Sequence, residues 1–202
     1  MKNVTLAFLL FFCPLIVNAG PLKIVNVSAP AINCVFTTTV PCSITVNDTT
    51  DNVALSSGGT GFLQSRSFKG EAGSPAAGLY AYEYRLDLRN AVGILNIACI
   101  DWMSISFGPV VGSLNYGGDA KRDQVFVITG GGLGTIGLAS AVQTGSNIKF
   151  KFASPVCGGG SPGKGDTSYF WGLVSKTAPK SVTATLHETG GTTHVVKARS
   201  PK

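Results

Sequence analysis

The chain contains two histidines, His187 and His194, which are therefore the first candidates for catalysis or metal binding. They lie in the segments 182–188 and 192–197, which predict a β-hairpin around the glycine pair 190–191. A two-residue turn would place the imidazoles opposite each other, with Cβ atoms about 5 Å apart. Such a pair offers two of the nitrogens that a transition metal needs, and the alternative is a solvated pair without an ion.

A calcium-type loop is the second candidate, because oxygen-bearing side chains occupy the first, fifth and ninth positions of segment 115–123. These residues are Asn115, Asp119 and Asp123. The rest of the segment fits poorly, since a glycine is third and two cations separate the aspartates. We therefore expect a polar turn, and calcium is the alternative and the one cofactor that the sequence suggests.

Aromatic side chains are the third candidate, because exposed aromatics on a β-protein can stack on sugar rings. Trp102 follows an aspartate at a strand junction, and the run from Tyr169 to Trp171 cannot place all of its aromatics on one face of a strand. We take Trp102, Tyr169 and Trp171 as candidate ligand-binding residues. The alternative is that they fill the core.

No residue is assigned a catalytic role, because the sequence contains neither a GxSxG nucleophile motif nor a carboxylate pair in a recognisable framework. A Ser-His mechanism would have to use one of the two histidines. The carboxylates Glu83, Asp87, Asp101, Asp119 and Asp166 are interpreted as surface charges. The GxGxxG at 132–137 is interpreted as a glycine-rich hairpin connection and not as a nucleotide site, because no acidic residue follows at the required distance.

The elements that must position these residues are β-strands, and the clearest is segment 79–89. Its residues alternate strictly between two faces, which is the period of a strand. One face carries Tyr80, Tyr82, Tyr84, Leu86 and Leu88, and the other carries Ala81, Glu83, Arg85, Asp87 and Arg89. We expect the first face to be buried and the charged face to be solvated.

Further short strands are predicted along the chain, about ten in all. Segments 23–27, 34–46, 94–100, 103–107, 125–129, 148–152 and 169–174 read as strands, with 125–129 covered on both faces, and 48–78 as a loop region with at most one edge strand. The 26 glycines and 10 prolines argue against much helix. The expected fold is all-β, a single antiparallel β-sandwich or jelly-roll-like domain.

The N-terminus predicts export. Lys2, an apolar run over 6–17 and the small-residue site ending at Ala19 form a secretory signal peptide, residues 1–19, and leave a mature domain over 20–202. No later segment is long and apolar enough to be a transmembrane helix. We expect a secreted or periplasmic protein.

Cysteine usage agrees with an oxidising compartment. Once Cys13 is removed with the signal peptide, Cys34, Cys42, Cys99 and Cys157 remain, which allows two disulfides in three connectivities. Cys34 and Cys42 are close enough to close a hairpin, which leaves Cys99 to pair with Cys157. A cysteine metal site is the alternative, but the chain has no CxxC motif.

The net charge of +6 is dispersed along the sequence, whereas nucleic-acid binders cluster their positive charge, so we expect no nucleic-acid partner.

Several runs in the second half of the chain, including LRNAVGILNIACI, ISFGPVVGSLNYGGD and SPVCGGGSPGKGDTSYFWGL, resemble a group of uncharacterised secreted bacterial proteins, some of them related to PEP-CTERM-sorted proteins. The resemblance covers residues 79–199 and implies export and a β-sandwich, without an activity. The sequence thus predicts a secreted or envelope-associated, non-catalytic protein that binds a glycan or a matrix protein or has a structural role. A carbohydrate-binding module and a secreted hydrolase are the alternatives.

Overall fold

The computed structural model describes residues 19–93, 97–108 and 112–201, so the predicted signal peptide lies outside it except for Ala19. Within these ranges the chain forms twelve strands and one helix, which confirms the all-β class. The strands are β1 (Ala19–Pro21), β2 (Ile24–Ser28), β3 (Asn47–Ala54), β4 (Thr60–Lys69), β5 (Tyr80–Asp87), β6 (Cys99–Ser106), β7 (Val125–Gly130), β8 (Leu138–Thr144), β9 (Asn147–Cys157), β10 (Trp171–Ser175), β11 (Pro179–Glu188) and β12 (Thr193–Pro201), and the helix is α1 (Ala29–Phe36).

The strands form two six-stranded sheets. Sheet I has the order β1-β8-β9-β6-β11-β12, and sheet II has the order β2-β7-β10-β5-β4-β3. All neighbours are antiparallel except β2 and β7, which pair in parallel. The sheets pack face to face around one large apolar cluster, in which the Tyr84 ring on β5 lies 6.3 Å from the Phe150 ring on β9. The face of each sheet turned toward this core is called its inner face, and the other its outer face.

The alternation that predicted β5 is confirmed, because Tyr82, Tyr84 and Leu86 are fully buried on its inner face. The prediction of a solvated outer face is wrong. Glu83 and Arg85 are 3% and 5% exposed, and Asp87 is also buried. Periodicity determines which residues share a face, but not whether another element covers that face.

Helix α1 covers part of this outer face, in a region where the sequence predicted a strand over 34–46. Pro30 stands in the first turn, where its missing N–H breaks no helical hydrogen bond. Ile32, Val35 and Phe36 share one side of the helix and are buried in a second apolar cluster on sheet II. The Phe36 ring meets Phe68 of β4 edge to face, with centroids 4.9 Å apart.

Strands β3 and β4 correct the prediction of a loop region over 48–78. They form an antiparallel pair in continuous register from Asn47 opposite Ser67 to Ala54 opposite Thr60. Six of the eight β3 residues are polar, so the strand lacks an apolar alternation. Its position at the edge of sheet II lets those side chains face solvent.

The glycine-rich segment 132–137 joins β7 of sheet II to β8 of sheet I, so it is not the predicted hairpin connection but a crossover between the sheets. No helix begins there. Gly134 has φ +105°, and a Cβ at this position would overlap the carbonyl of Ser168. The close approach of two backbones explains this glycine without a nucleotide.

Both predicted disulfides are present, Cys34–Cys42 and Cys99–Cys157. The second joins directly opposed residues of β6 and β9. The first ties α1 to the segment that follows it, and so closes a helix end and not a hairpin. The predicted strands over 125–129 and 148–152 are confirmed: β7 is buried on both faces, and β9 alternates buried Ile148, Phe150 and Phe152 with exposed lysines.

The part of the chain that the structure describes contains no helix with the length and apolarity needed to cross a membrane.

Candidate functional site

The terminal hairpin does not bring the two histidines together. His187 lies opposite Thr193, and His194 lies opposite Leu186, so the register differs by one residue from the prediction. The cause is the turn: Glu188 accepts and donates hydrogen bonds around a three-residue loop, 189–191, in which Gly191 adopts φ +93°. The paired imidazole site is therefore wrong.

His187 instead lies on the outer face of sheet I beside Trp102. The two rings stack with centroids 4.6 Å apart and planes 9° apart, and His187 Nδ1 lies 2.7 Å from Asp101 Oδ1. Lys149 Nζ lies 4.1 Å from the centre of the indole. His187 and Lys149 come from the strands on either side of β6, so they flank the indole.

His194 belongs to a different cluster at the end of the hairpin, around the buried carboxylate of Glu188. That carboxylate contacts His194 Nε2 at 2.7 Å and accepts hydrogen bonds from Ser56 N at 2.9 Å and from Ser56 Oγ. Burial alone would raise the pKa of Glu188, but the bonds from Ser56 and His194 hold the pKa below its usual range. The cluster fastens the β3–β4 turn to the hairpin.

Neither cluster forms a nucleophile-base pair. Among the described residues no serine, threonine or cysteine side chain is hydrogen-bonded to either imidazole, and the serine in the second cluster bonds to the carboxylate.

Of the other aromatic candidates, Trp171 lies in the core with 1% exposure, against Tyr84, Phe150 and Phe152. Its assignment as a ligand-binding residue is therefore wrong, because β10 turns this ring to the inner face. Tyr169 is half-buried and packs against the same core. Trp102 alone of the three is at the surface of a sheet.

Two of the three calcium-type residues, Asp119 and Asp123, are engaged in ion pairs. Asp123 is buried and its Oδ1 lies 3.2 Å from Lys23 Nζ, while the exposed Asp119 forms an ion pair of 3.3 Å with Lys121. Asn115 lies between Leu114 and Tyr116, which are both buried. Within residues 19–93, 97–108 and 112–201, no three His, Cys, Asp or Glu side chains converge as a metal-binding group.

A cavity on the outer face of sheet II was not predicted from the sequence. It encloses about 380 Å³ and is called the Glu83 cavity here. Its wall is formed by Ala29 and Asn33 of α1, by Ile44 and Val46 of the segment after the first disulfide, and by residues 131–133 of the crossover; its floor is formed by Arg66, Glu83, Ile128 and Phe170. Helix, disulfide-bonded segment and glycine crossover thus meet over one patch of the sheet.

Glu83 on the floor of this cavity is a buried carboxyl without a protein partner. It is 3% exposed, and among the described residues it accepts no hydrogen bond and has no cation within 4.0 Å. Burial raises its pKa to about 7, and the charge of nearby Arg66 reduces that rise. Buried carboxyls in proteins are ordinarily hydrogen-bonded, so an unpartnered one that lines a cavity indicates a site for a ligand.

Arg66 is the natural partner of Glu83, since the two residues are directly opposite on β4 and β5. The guanidinium is drawn elsewhere: Arg66 Nε donates to Asp48 Oδ2 at 3.1 Å, and its Cζ lies 4.1 Å from the centre of the Phe170 ring. The cross-strand neighbour therefore forms part of the floor of the cavity and does not pair with Glu83.

Arg85, the next cation on the same face, is paired with groups other than Glu83. It donates to Gln64 Oε1 at 3.0 Å, pairs with Asp87 Oδ2 at 3.0 Å and lies over the Phe170 ring at 5.3 Å. Asp87 in turn binds Arg89. Glu83 and Asp87, which were predicted to be surface charges, are thus both buried. Asp87 is paired with two arginines, whereas Glu83 has no partner among the described residues.

The sequence contains one feature that indicates that the outer face of sheet II is covered. The residues 29–36 combine a proline in the first turn with apolar residues at helical spacing, which requires an apolar surface to receive them. Phe126 and Phe68 supply that surface beside Glu83.

The fold is that of an all-β protein of two packed six-stranded sheets, with a cavity of about 380 Å³ on the outer face of sheet II. No protein-family model, no curated protein and no solved structure matches this chain.

Proposed function

We propose that this protein is an exported, non-catalytic binding protein and that the Glu83 cavity holds a small ligand. The observation that carries the proposal is the Glu83 carboxyl, which is buried, unpartnered among the described residues and turned to a cavity of about 380 Å³. That volume lies at the lower end of the range for small-molecule sites.

A binding role is favoured over a catalytic one by the lining of the cavity. The described residues that form it include no serine, threonine, cysteine, histidine or lysine. Its polar groups are a carboxyl, a guanidinium already bonded to Asp48 and the Asn33 amide. Such a set can orient a ligand, but it offers none of the usual nucleophiles.

Export is supported by the two disulfides, which persist in oxidising compartments, and by the predicted signal peptide. We place the protein outside the cell or in the periplasm. Stacking of a glycan or matrix partner on the Trp102 ring, on the outer face of sheet I, would compete with the contacts of His187 and Lys149 to that ring.

The test is a fragment screen by ligand-observed NMR on wild type, on Val46→Phe and on Thr45→Phe. Val46 lines the cavity, so the added ring should fill it and abolish binding, whereas Thr45 is exposed and its variant should bind as wild type does. In protein-observed spectra, fragments that bind should also shift the backbone amides of Asn33 and Glu83. Hits that bind equally to all three proteins would contradict the proposal.

A further inference from the structure

We propose that the ligand of the Glu83 cavity is a small organic cation, an ammonium group on an apolar body, with the ammonium bound to the Glu83 carboxylate. This inference rests on the proposed function, because it names the class of ligand for the same site.

The charges around the cavity favour a cation. Glu83 has no cation within 4.0 Å among the described residues, and the nearest one, Arg66, is held by Asp48. Arg85 is held by Asp87 and Gln64. Helix α1 contributes no charged residue, and neither does β10. The carboxyl is therefore the one charge-bearing group of the floor that still lacks a counter-ion.

An anionic ligand fits poorly at the same place. It would need the Arg66 guanidinium, whose Nε is already bonded to Asp48, and it would lie beside the Glu83 carboxylate. A metal ion fits poorly as well, because no second and third ligand of the usual kinds converge on Glu83 in the described part of the chain.

The apolar part of the ligand follows from the walls. Ile44, Val46, Ile128 and Leu133 line the cavity, and Leu133 is 53% exposed, a large apolar side chain at the surface of the protein. A hydrocarbon or aromatic body would remove this surface from water, while its ammonium reaches the floor. Asn33 can add a hydrogen bond through its side-chain carbonyl.

Binding should be coupled to proton release. Burial raises the pKa of Glu83 to about 7, so at pH 6 the free site holds a proton that an ammonium ligand must displace. From the two-state titration we expect release of about one proton at pH 6 and almost none at pH 8, with about tenfold weaker apparent affinity at pH 6.

The probes are benzylamine and benzyl alcohol, which share an aromatic body and differ in the cationic group. Calorimetric titration of the full protein, in buffers of different ionisation enthalpy, measures affinity and proton release together. We expect benzylamine to bind wild type at pH 8 at least tenfold more tightly than benzyl alcohol, and Glu83→Gln to remove that advantage. Asp119→Asn, which neutralises an exposed carboxyl outside the cavity, should leave it unchanged.

The outcomes separate the two proposals. If benzyl alcohol binds in a way that Val46→Phe abolishes, and benzylamine binds no better at either pH, the cavity is a site but the inference of a cation is wrong. If neither probe, nor any fragment, responds to Val46→Phe, the proposed function itself fails. Should Glu83→Gln not fold, the pH dependence and proton release of wild type still decide between these results.

Discussion

Glu83 occupies a position where ionisation is unfavourable in the free protein. Its ordinary pKa of 4.5 applies to the unfolded chain, and burial raises the pKa to about 7 in the folded state. Between these values the folded protein retains a proton that the unfolded chain releases. The contribution of this group to stability is therefore fully present below pH 4.5 and is lost as the pH rises through 7.

The first prediction follows from this loss of stability with rising pH. The free energy of unfolding of wild type, minus that of Glu83→Gln, should fall by about 3 kcal/mol between pH 4 and pH 8, because glutamine mimics the protonated carboxyl at every pH. Urea denaturation at a series of pH values, followed by circular dichroism, measures the difference. Parallel profiles for the two proteins would show that Glu83 is ionised or partnered throughout.

Glu188 is a second buried carboxyl, and its hydrogen bonding differs from that of Glu83. Ser56 donates from both its backbone and its hydroxyl, and His194 lies within hydrogen-bond distance, so the pKa of Glu188 is lowered despite burial. Glu188, which links a turn to the hairpin, thus has hydrogen-bond partners, whereas Glu83 has none among the described residues. That contrast is the reason for treating the cavity as a site.

At the scale of elements, α1 and the segment after it depend on the Cys34–Cys42 link. The disulfide holds Ile44 and Val46, which follow Cys42, beside the helix that forms the opposite wall of the cavity. Cys99–Cys157 has another role, since it joins opposed residues of two strands within sheet I.

The second prediction compares the two links. Replacing Cys99 and Cys157 by serine should lower the free energy of unfolding by about 4 kcal/mol, and the same change at Cys34 and Cys42 by about 2.5 kcal/mol, in the loop-entropy model with separations of 58 and 8 residues. Denaturant titration measures both. Hydrogen exchange should accelerate in α1 only in the Cys34, Cys42 variant, and equal acceleration in β6 would contradict the local role.

The elements that the sequence predicted correctly share a physical basis. Strands β5, β7 and β9 carry patterns that depend on their own residues, either alternation or a continuous apolar run, and the cysteine pairs follow from spacing. The polar strand β3 and the helix α1 depend on what they pack against. Thr-rich and Cys-containing sequence after residue 34 looks extended, yet the three apolar residues of α1 gain more by packing on Phe68 and Phe126.

The Glu83 cavity could not be predicted from the sequence for the same reason. The alternation in β5 placed Glu83, Arg85 and Asp87 on one face, but only the packing of α1 and the crossover shows that this face is covered. The predicted pairing of the two histidines was wrong because of the turn length. A two-residue and a three-residue turn place different residues opposite His187.

At the scale of the whole molecule, Tyr84 spans the two sheets. Its hydroxyl donates to the Arg199 carbonyl of β12 at 2.6 Å, and its ring packs against the rings of Phe150 and Trp171. The side chain of one central strand in sheet II is thus bonded to the edge strand of sheet I.

The third prediction is that Tyr84→Phe lowers the free energy of unfolding by about 1 kcal/mol, because it removes one buried hydrogen bond without changing the packing. Tyr80→Phe is the matched control: Tyr80 lies on the same strand and is half-buried, and its hydroxyl has no hydrogen-bond partner among the described residues. Chemical denaturation of both variants measures the difference. Equal losses would mean that the bond to Arg199 adds nothing.

The pairing of the first two strands has a consequence for the order of assembly in time. Strand β1 pairs with β8, Gly20 opposite Gln143, and β2 pairs with β7, Ile24 opposite Val125, so each strand pairs with residues more than 100 positions later in the sequence. Such long-range pairings form slowly, and the cavity needs residues 131–133 and Phe170 as well as α1. The Glu83 cavity therefore forms only when these distant segments have packed together, and a ligand bound in it would stabilise the folded state by mass action.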